Sequence, residues 1–81
     1  MRVRVQLFAR LRELAGRSDV ECEVGDGSTI ADVWREVAGR HPGLAPYEAS
    51  VSCARNEDFA RMSAPVADGD AIAFLPPVSG G

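Results

Sequence analysis

Residue types that do chemistry are few and scattered in this 81-residue chain. It has one histidine, His41, two cysteines, Cys22 and Cys53, and no lysine, all nine basic residues being arginine. Arginine stays charged, so Schiff-base chemistry is absent and no side-chain amine is offered to an acyl donor. The cysteines form neither a Cys-x-x-Cys pair nor a set with histidine at ligand spacing, and they read as two small buried apolar residues in a reducing compartment. Asp68 and Asp70 flank Gly69 without the other ligand positions of a calcium loop, which makes them solvated acids of a turn, and no metal site is expected. No nucleophile, base and orienting group can be assembled from these residues. The remaining candidate is the end of the chain, Pro76-Pro77-Val78-Ser79-Gly80-Gly81. Two prolines stiffen its root in extended form. Gly80 and Gly81, lacking Cβ atoms, fit a narrow channel and can present the α-carboxylate of Gly81 to a reagent deep inside another protein. The competing reading is a flexible, frayed terminus.

Such a tail needs a body to present it. With 46% hydrophobic and 26% charged residues, the chain has room for one small domain with one core, which excludes a two-domain enzyme. Val3, Val5 and Leu7 alternate with Arg2, Arg4 and Gln6, the period of a half-buried strand, and Phe8 breaks the pattern at the strand's exit. Residues 9 to 15 are strong helix formers closed by Gly16. Alternation returns from Asp19 to Val24. Thr29 and Asp32 form a capping-box-like pair before the stripe Ile30, Val33, Trp34, Val37 and Ala38, a helix laid on a sheet that Gly39, Pro42 and Gly43 end. Residues 44 to 50 read as a loop. Val51 to Ala54 is a strand, 55 to 58 a turn, and 59 to 62 its hairpin partner; Ala71 to Leu75 is the last strand, with Ile72 and Phe74 inward.

That alternation leaves Leu75 on the solvent side, with Phe8 and Phe59 also exposed, and the three suggest an apolar patch at the root of the tail. The opening residues alternate where a signal peptide would be continuously apolar, and no run is long enough to cross a bilayer, so a cytoplasmic protein without membrane attachment is expected. Net charge is -3 and the arginines are dispersed, which argues against nucleic acid as a partner.

Strand, short helix, strand, long helix, hairpin, last strand and Gly-Gly tail together resemble the bacterial sulfur carriers of ubiquitin-like β-grasp fold, and within them the small subunit of molybdopterin synthase. The similarity spans the chain: residues 7 to 16, Leu-Phe-Ala-Arg-Leu-Arg-Glu-Leu-Ala-Gly; Thr29-Ile30-Ala31-Asp32-Val33; Asp68-Gly69-Asp70; and Phe74-Leu75 running into Pro76-Pro77-Val78-Ser79-Gly80-Gly81. Arg55 departs from the pattern by standing where an apolar residue is common. The resemblance implies an α+β fold, a mixed sheet of four to five strands on one main helix and one short helix, with a domain over 1–75 and an extended tail over 76–81.

The same resemblance implies a role. A ubiquitin-activating-type adenylyltransferase would use ATP and magnesium to adenylate Gly81, and a persulfide donor would convert it to a thiocarboxylate. Sulfur then passes to cyclic pyranopterin monophosphate within the synthase large subunit, in a hetero-oligomer expected to be a heterotetramer. The carrier binds no cofactor and is not an enzyme alone. Pro76, Pro77, Val78, Ser79 and Gly80 would thread the partner's channel, while Phe8, Arg12, Phe59 and Leu75 would form the partner surface. Other readings of the same residues are a carrier for thiamine thiazole or another thiolation pathway, a modifier joined to lysines through Gly81, and a plain interaction module.

Overall fold

The computed structural model describes residues 1–77; the expectations for Val78, Ser79, Gly80 and Gly81 lie outside the described residues. Five strands and two α-helices follow in the order β1 (Arg2–Leu7), α1 (Ala9–Ala15), β2 (Asp19–Glu23), α2 (Ile30–Arg40), a 3-10 helix (Pro42–Tyr47), β3 (Ser52–Arg55), β4 (Asp58–Ala60) and β5 (Ala71–Leu75). The strands form one mixed sheet in the order β2-β1-β5-β3-β4. β1 and β5 run parallel at its centre, with Arg4 level with Ala71 and Leu7 with Phe74, and the other pairs are antiparallel. This is the β-grasp arrangement expected from the sequence.

Alternation along the strands sends Val3, Val5, Leu7, Val20, Cys22, Ile72 and Phe74 to one face, where they meet Ile30, Val33, Trp34 and Val37 of α2. Trp34 packs edge-on against Phe74, ring centroids 4.9 Å apart, so the largest aromatic of the helix lies over the central strand pair. Thr29 caps α2 in a full capping box: its hydroxyl accepts from the Asp32 N–H, and the Asp32 carboxylate accepts from the Thr29 N–H at 2.9 Å. That bond, made from the backbone of Thr29, is the main cause holding the Asp32 carboxyl below its ordinary pKa, with the Thr29 hydroxyl and Arg35 adding to it.

Three expectations need correction. Gly39 lies inside α2, which runs on to Arg40; the break comes at His41, whose φ of -130° and ψ of 80° leave the helical region, from which a following proline excludes the residue before it. Residues 44 to 50 are not simply a loop. Pro42 starts a 3-10 helix that carries Leu44 into full burial, and this apolar anchor pins the segment to the core. The hairpin is also tighter than expected, because only Asn56 and Glu57 connect Arg55 to Asp58, with φ of 49° and 77°. Positive φ at both central positions is what a two-residue hairpin turn of type I′ demands.

Candidate functional site: an apolar groove beside the tail root

The face of the sheet opposite α2 carries the residues left over by the same alternation. On β5 these are Ala71, Ala73 and Leu75, two small side chains and one large, so the centre of the open face is low. Taller neighbours turn this into a groove of about 320 Å³ lined by Gln6, Phe8, Ala54, Glu57, Phe59, Ala71, Ala73 and Leu75. Three of the four residues expected on the partner surface, Phe8, Phe59 and Leu75, therefore line one depression. Arg12, on the exposed side of α1, is not among its lining residues. Gln6, Ala54, Glu57, Ala71 and Ala73 were not singled out from sequence, although the small-large alternation of residues 71 to 74 contained the signal.

The anchors are held by backbone. Phe59 is 82% exposed and pairs across the hairpin with Ala54, so its ring has little to lie on except the groove. Phe8 is 43% exposed; its N–H donates to the Phe74 carbonyl at 3.3 Å and its carbonyl accepts from Leu11 N–H at 3.1 Å. The residue after it, Ala9, has φ of 50°, a conformation that costs an L-residue about 1 kcal/mol and is tolerated here between two fixed elements. β5 ends at Leu75, and Pro76 and Pro77 continue from the groove's margin.

A buried acid sets the geometry behind the groove. Asp70 is 6% exposed, a correction to its reading as a solvated turn acid. One carboxylate oxygen accepts from Arg55 Nε at 2.6 Å and from the Ala67 N–H at 2.7 Å, and the other accepts from Asn56 Nδ2 at 3.0 Å. Asn56 returns through its own side-chain oxygen, which accepts from the Ala71 N–H at 2.9 Å. Hydrogen bonding from Arg55, above all, lowers the Asp70 pKa from 3.8 to about 2 against the opposing effect of burial, with Ala67 and Asn56 assisting. The hub fastens the β3–β4 turn, which precedes Phe59, to the entrance of β5, which carries Leu75. Arg55 is the residue that makes the shortest of these bonds.

Nothing in the groove is a reactive nucleophile. Cys22 and Cys53 are buried and free, and burial raises both thiols above their ordinary pKa. Among the described residues, no group of three or more His, Cys, Asp or Glu side chains is placed to hold a metal ion, and no helix is long and apolar enough to cross a membrane. The arrangement offers an apolar surface at the root of the tail that a partner can cover.

Comparison with known proteins gives this surface a context. The sequence model of the ThiS family matches residues 5–81. The molybdopterin synthase sulfur carrier subunit of Arabidopsis thaliana is 38% identical over 98% of this chain and 82% of its own length, and that of Chlamydomonas reinhardtii is 35% identical over the whole of both chains. Among solved structures, SAMP1 from Haloferax volcanii, a small archaeal modifier protein, superposes with a TM-score of 0.90 at 31% identity over the whole of both chains. The complex of subunits 1 and 2 of the molybdopterin-converting factor from Helicobacter pylori also matches over the whole of both chains, with a TM-score of 0.68 at 26% identity. Family match, full-length relatives and fold agree: the chain belongs to the ThiS family and is a ubiquitin-like sulfur carrier of the type that includes the molybdopterin synthase sulfur carrier subunits.

Proposed function

We propose that this chain supplies sulfur for the dithiolene of molybdopterin, carrying it as a thiocarboxylate on Gly81. A carboxylate is a poor electrophile. Attack of the Gly81 carboxylate on the α-phosphorus of ATP, on an adenylating enzyme with magnesium, expels pyrophosphate and leaves a mixed anhydride from which AMP departs readily. A persulfide displaces AMP, and thiol cleavage of the acyl disulfide leaves the thiocarboxylate. The tail, at most about 20 Å long over its six residues when extended, then enters the large subunit, where the sulfur bonds to carbon of cyclic pyranopterin monophosphate and water cleaves the resulting thioester, leaving the sulfur on the substrate and the carboxylate on Gly81. A dithiolene needs two sulfurs and each carrier brings one, so two loaded carriers are spent for each dithiolene. Phe8, Phe59 and Leu75 dock the body in this scheme, Arg12 adds a polar contact at its edge, and residues 76 to 80 thread the channel. Activator and synthase use the same surface in turn, so their complexes exclude one another.

The observation that carries this reading is the apolar groove at the root of a Gly-Gly tail, in a chain with full-length likeness to synthase carrier subunits. Its test is the intact mass of the protein from cells making molybdenum cofactor, followed by mixing with a synthase large subunit. A fraction with one terminal oxygen replaced by sulfur, converting cyclic pyranopterin monophosphate to molybdopterin, is the expected result. A thiocarboxylate that gives no molybdopterin would instead assign the chain to thiazole synthesis or another thiolation pathway. The likeness to SAMP1 favours one other reading, a protein modifier, for which Gly81-derived isopeptides on cellular lysines are the mark.

A further inference from the structure

The apolar groove is not the whole of the open face. Ala71 lines it and also lines a second depression of about 350 Å³, whose other walls are Arg2, Val3, Arg4, Glu21, Asp68 and Gly69. The two hollows thus form one trough along β1 and β5, apolar toward Leu75 and charged toward the other end. In the charged half nearly every ionic group is matched within the chain. Arg2 reaches Glu23 at 3.0 Å and Glu21 at 4.0 Å, and an Asp68 carboxylate oxygen accepts from the Arg2 N–H at 2.7 Å. Arg4 is the exception: exposed, level with Ala71, and without a side-chain hydrogen bond or ion pair among the described residues. Glu21 stands directly opposite it across β1 and β2 yet turns to Arg2.

Building on the function proposed above, we infer that Arg4 is a specificity-determining docking residue, which receives a carboxylate of the synthase large subunit seated along the full trough. Position separates this role from the chemistry. Arg4 lies four residues upstream of the Leu75 level on a parallel neighbour, about 13 Å away at roughly 3.3 Å per residue, on the side away from the tail. It reads the body of the partner and not the nucleotide or pterin that Gly81 meets. A planar guanidinium with an open fork beside an apolar surface selects a carboxylate two-pronged, and an exposed cation at the rim also speeds encounter with an acidic partner. A partner that fills the apolar half alone gains no contact with it.

The test is titration of the wild-type chain and its Arg4→Gln, Arg4→Lys, Phe59→Ala and Arg35→Gln variants against the large subunit from the same organism, at low and moderate salt. Arg35 pairs with Asp32 on α2, outside the trough, and serves as the charge control. Arg4→Gln is expected to weaken binding about tenfold and to flatten its salt dependence, Arg4→Lys to recover part of the affinity, and Arg35→Gln to match the wild type. Thermal unfolding of Arg4→Gln at the wild-type midpoint shows that the loss is not a folding defect. If Arg4→Gln binds within twofold of the wild type while Phe59→Ala loses binding, the partner uses the apolar half alone and the inference is overturned. If the wild type does not bind the large subunit at all, the synthase reading falls, and this assignment with it.

Discussion

At the scale of single residues, Asp70 and Phe59 illustrate opposite uses of exposure. The Asp70 carboxylate is stabilised in the folded state, its pKa falling from 3.8 to about 2, so its contribution is complete above the unfolded value and is lost as pH falls through the interval from about 4 to about 2. A shift of that size corresponds to ~2 kcal/mol. Asp70→Asn should therefore lower the thermal midpoint at pH 7 by roughly 8–16 °C in a domain this small, and the variant should lose less than the wild type when melts are repeated near pH 2.5. Phe59 bears on stability hardly at all, being 82% exposed. Phe59→Ala should stay within about 0.5 kcal/mol of the wild type in urea titration while losing more than tenfold in affinity for the large subunit, as truncation of an interface aromatic does.

Elements show which parts of this structure were legible in advance. Strand and helix periodicity located β1, α1, β2, α2 and β5 to within a residue or two, since each carries one face to the core and the pattern records that face. The capping box at Thr29 was readable for the same local reason, and Thr29→Ala should cost about 1 kcal/mol in chemical denaturation. What was not legible depends on long-range partners. Arg55 and Asp70 are fifteen residues apart and meet only once β3 lies beside β5. The 3-10 helix exists because Leu44 finds a place in the core, which no local propensity announces. The hairpin turn lies between these cases: Asn56 suits a positive φ, whereas Glu57 does not, and its φ of 77° is imposed by the two strands it joins. Glu57→Gly should accordingly raise stability by up to about 1 kcal/mol, measurable as a higher urea midpoint with unchanged slope. At the site, Phe8, Phe59 and Leu75 were found as exceptions to alternation. The alanines that make the groove low carry no such signal, because a small side chain shapes a surface only through its taller neighbours.

For the whole molecule, the function proposed above divides the chain between a body that recognises and an end that reacts. Removing Gly81, or replacing Gly80 by a bulky residue, should abolish thiocarboxylate formation in a reconstituted activation reaction read by intact mass. Thermal unfolding should be unchanged, since β5 and its core contacts end at Leu75. The parallel pairing of β1 with β5 carries a further consequence. The first strand made is joined to the last, and among the described residues β5 is the strand that joins β1–β2 to β3–β4 in the sheet. A chain interrupted before residue 71 lacks β5 and with it Ala71, Ala73 and Leu75 of the trough. Synthesis on the ribosome must thus reach the residues adjoining the tail before the five-stranded sheet can close.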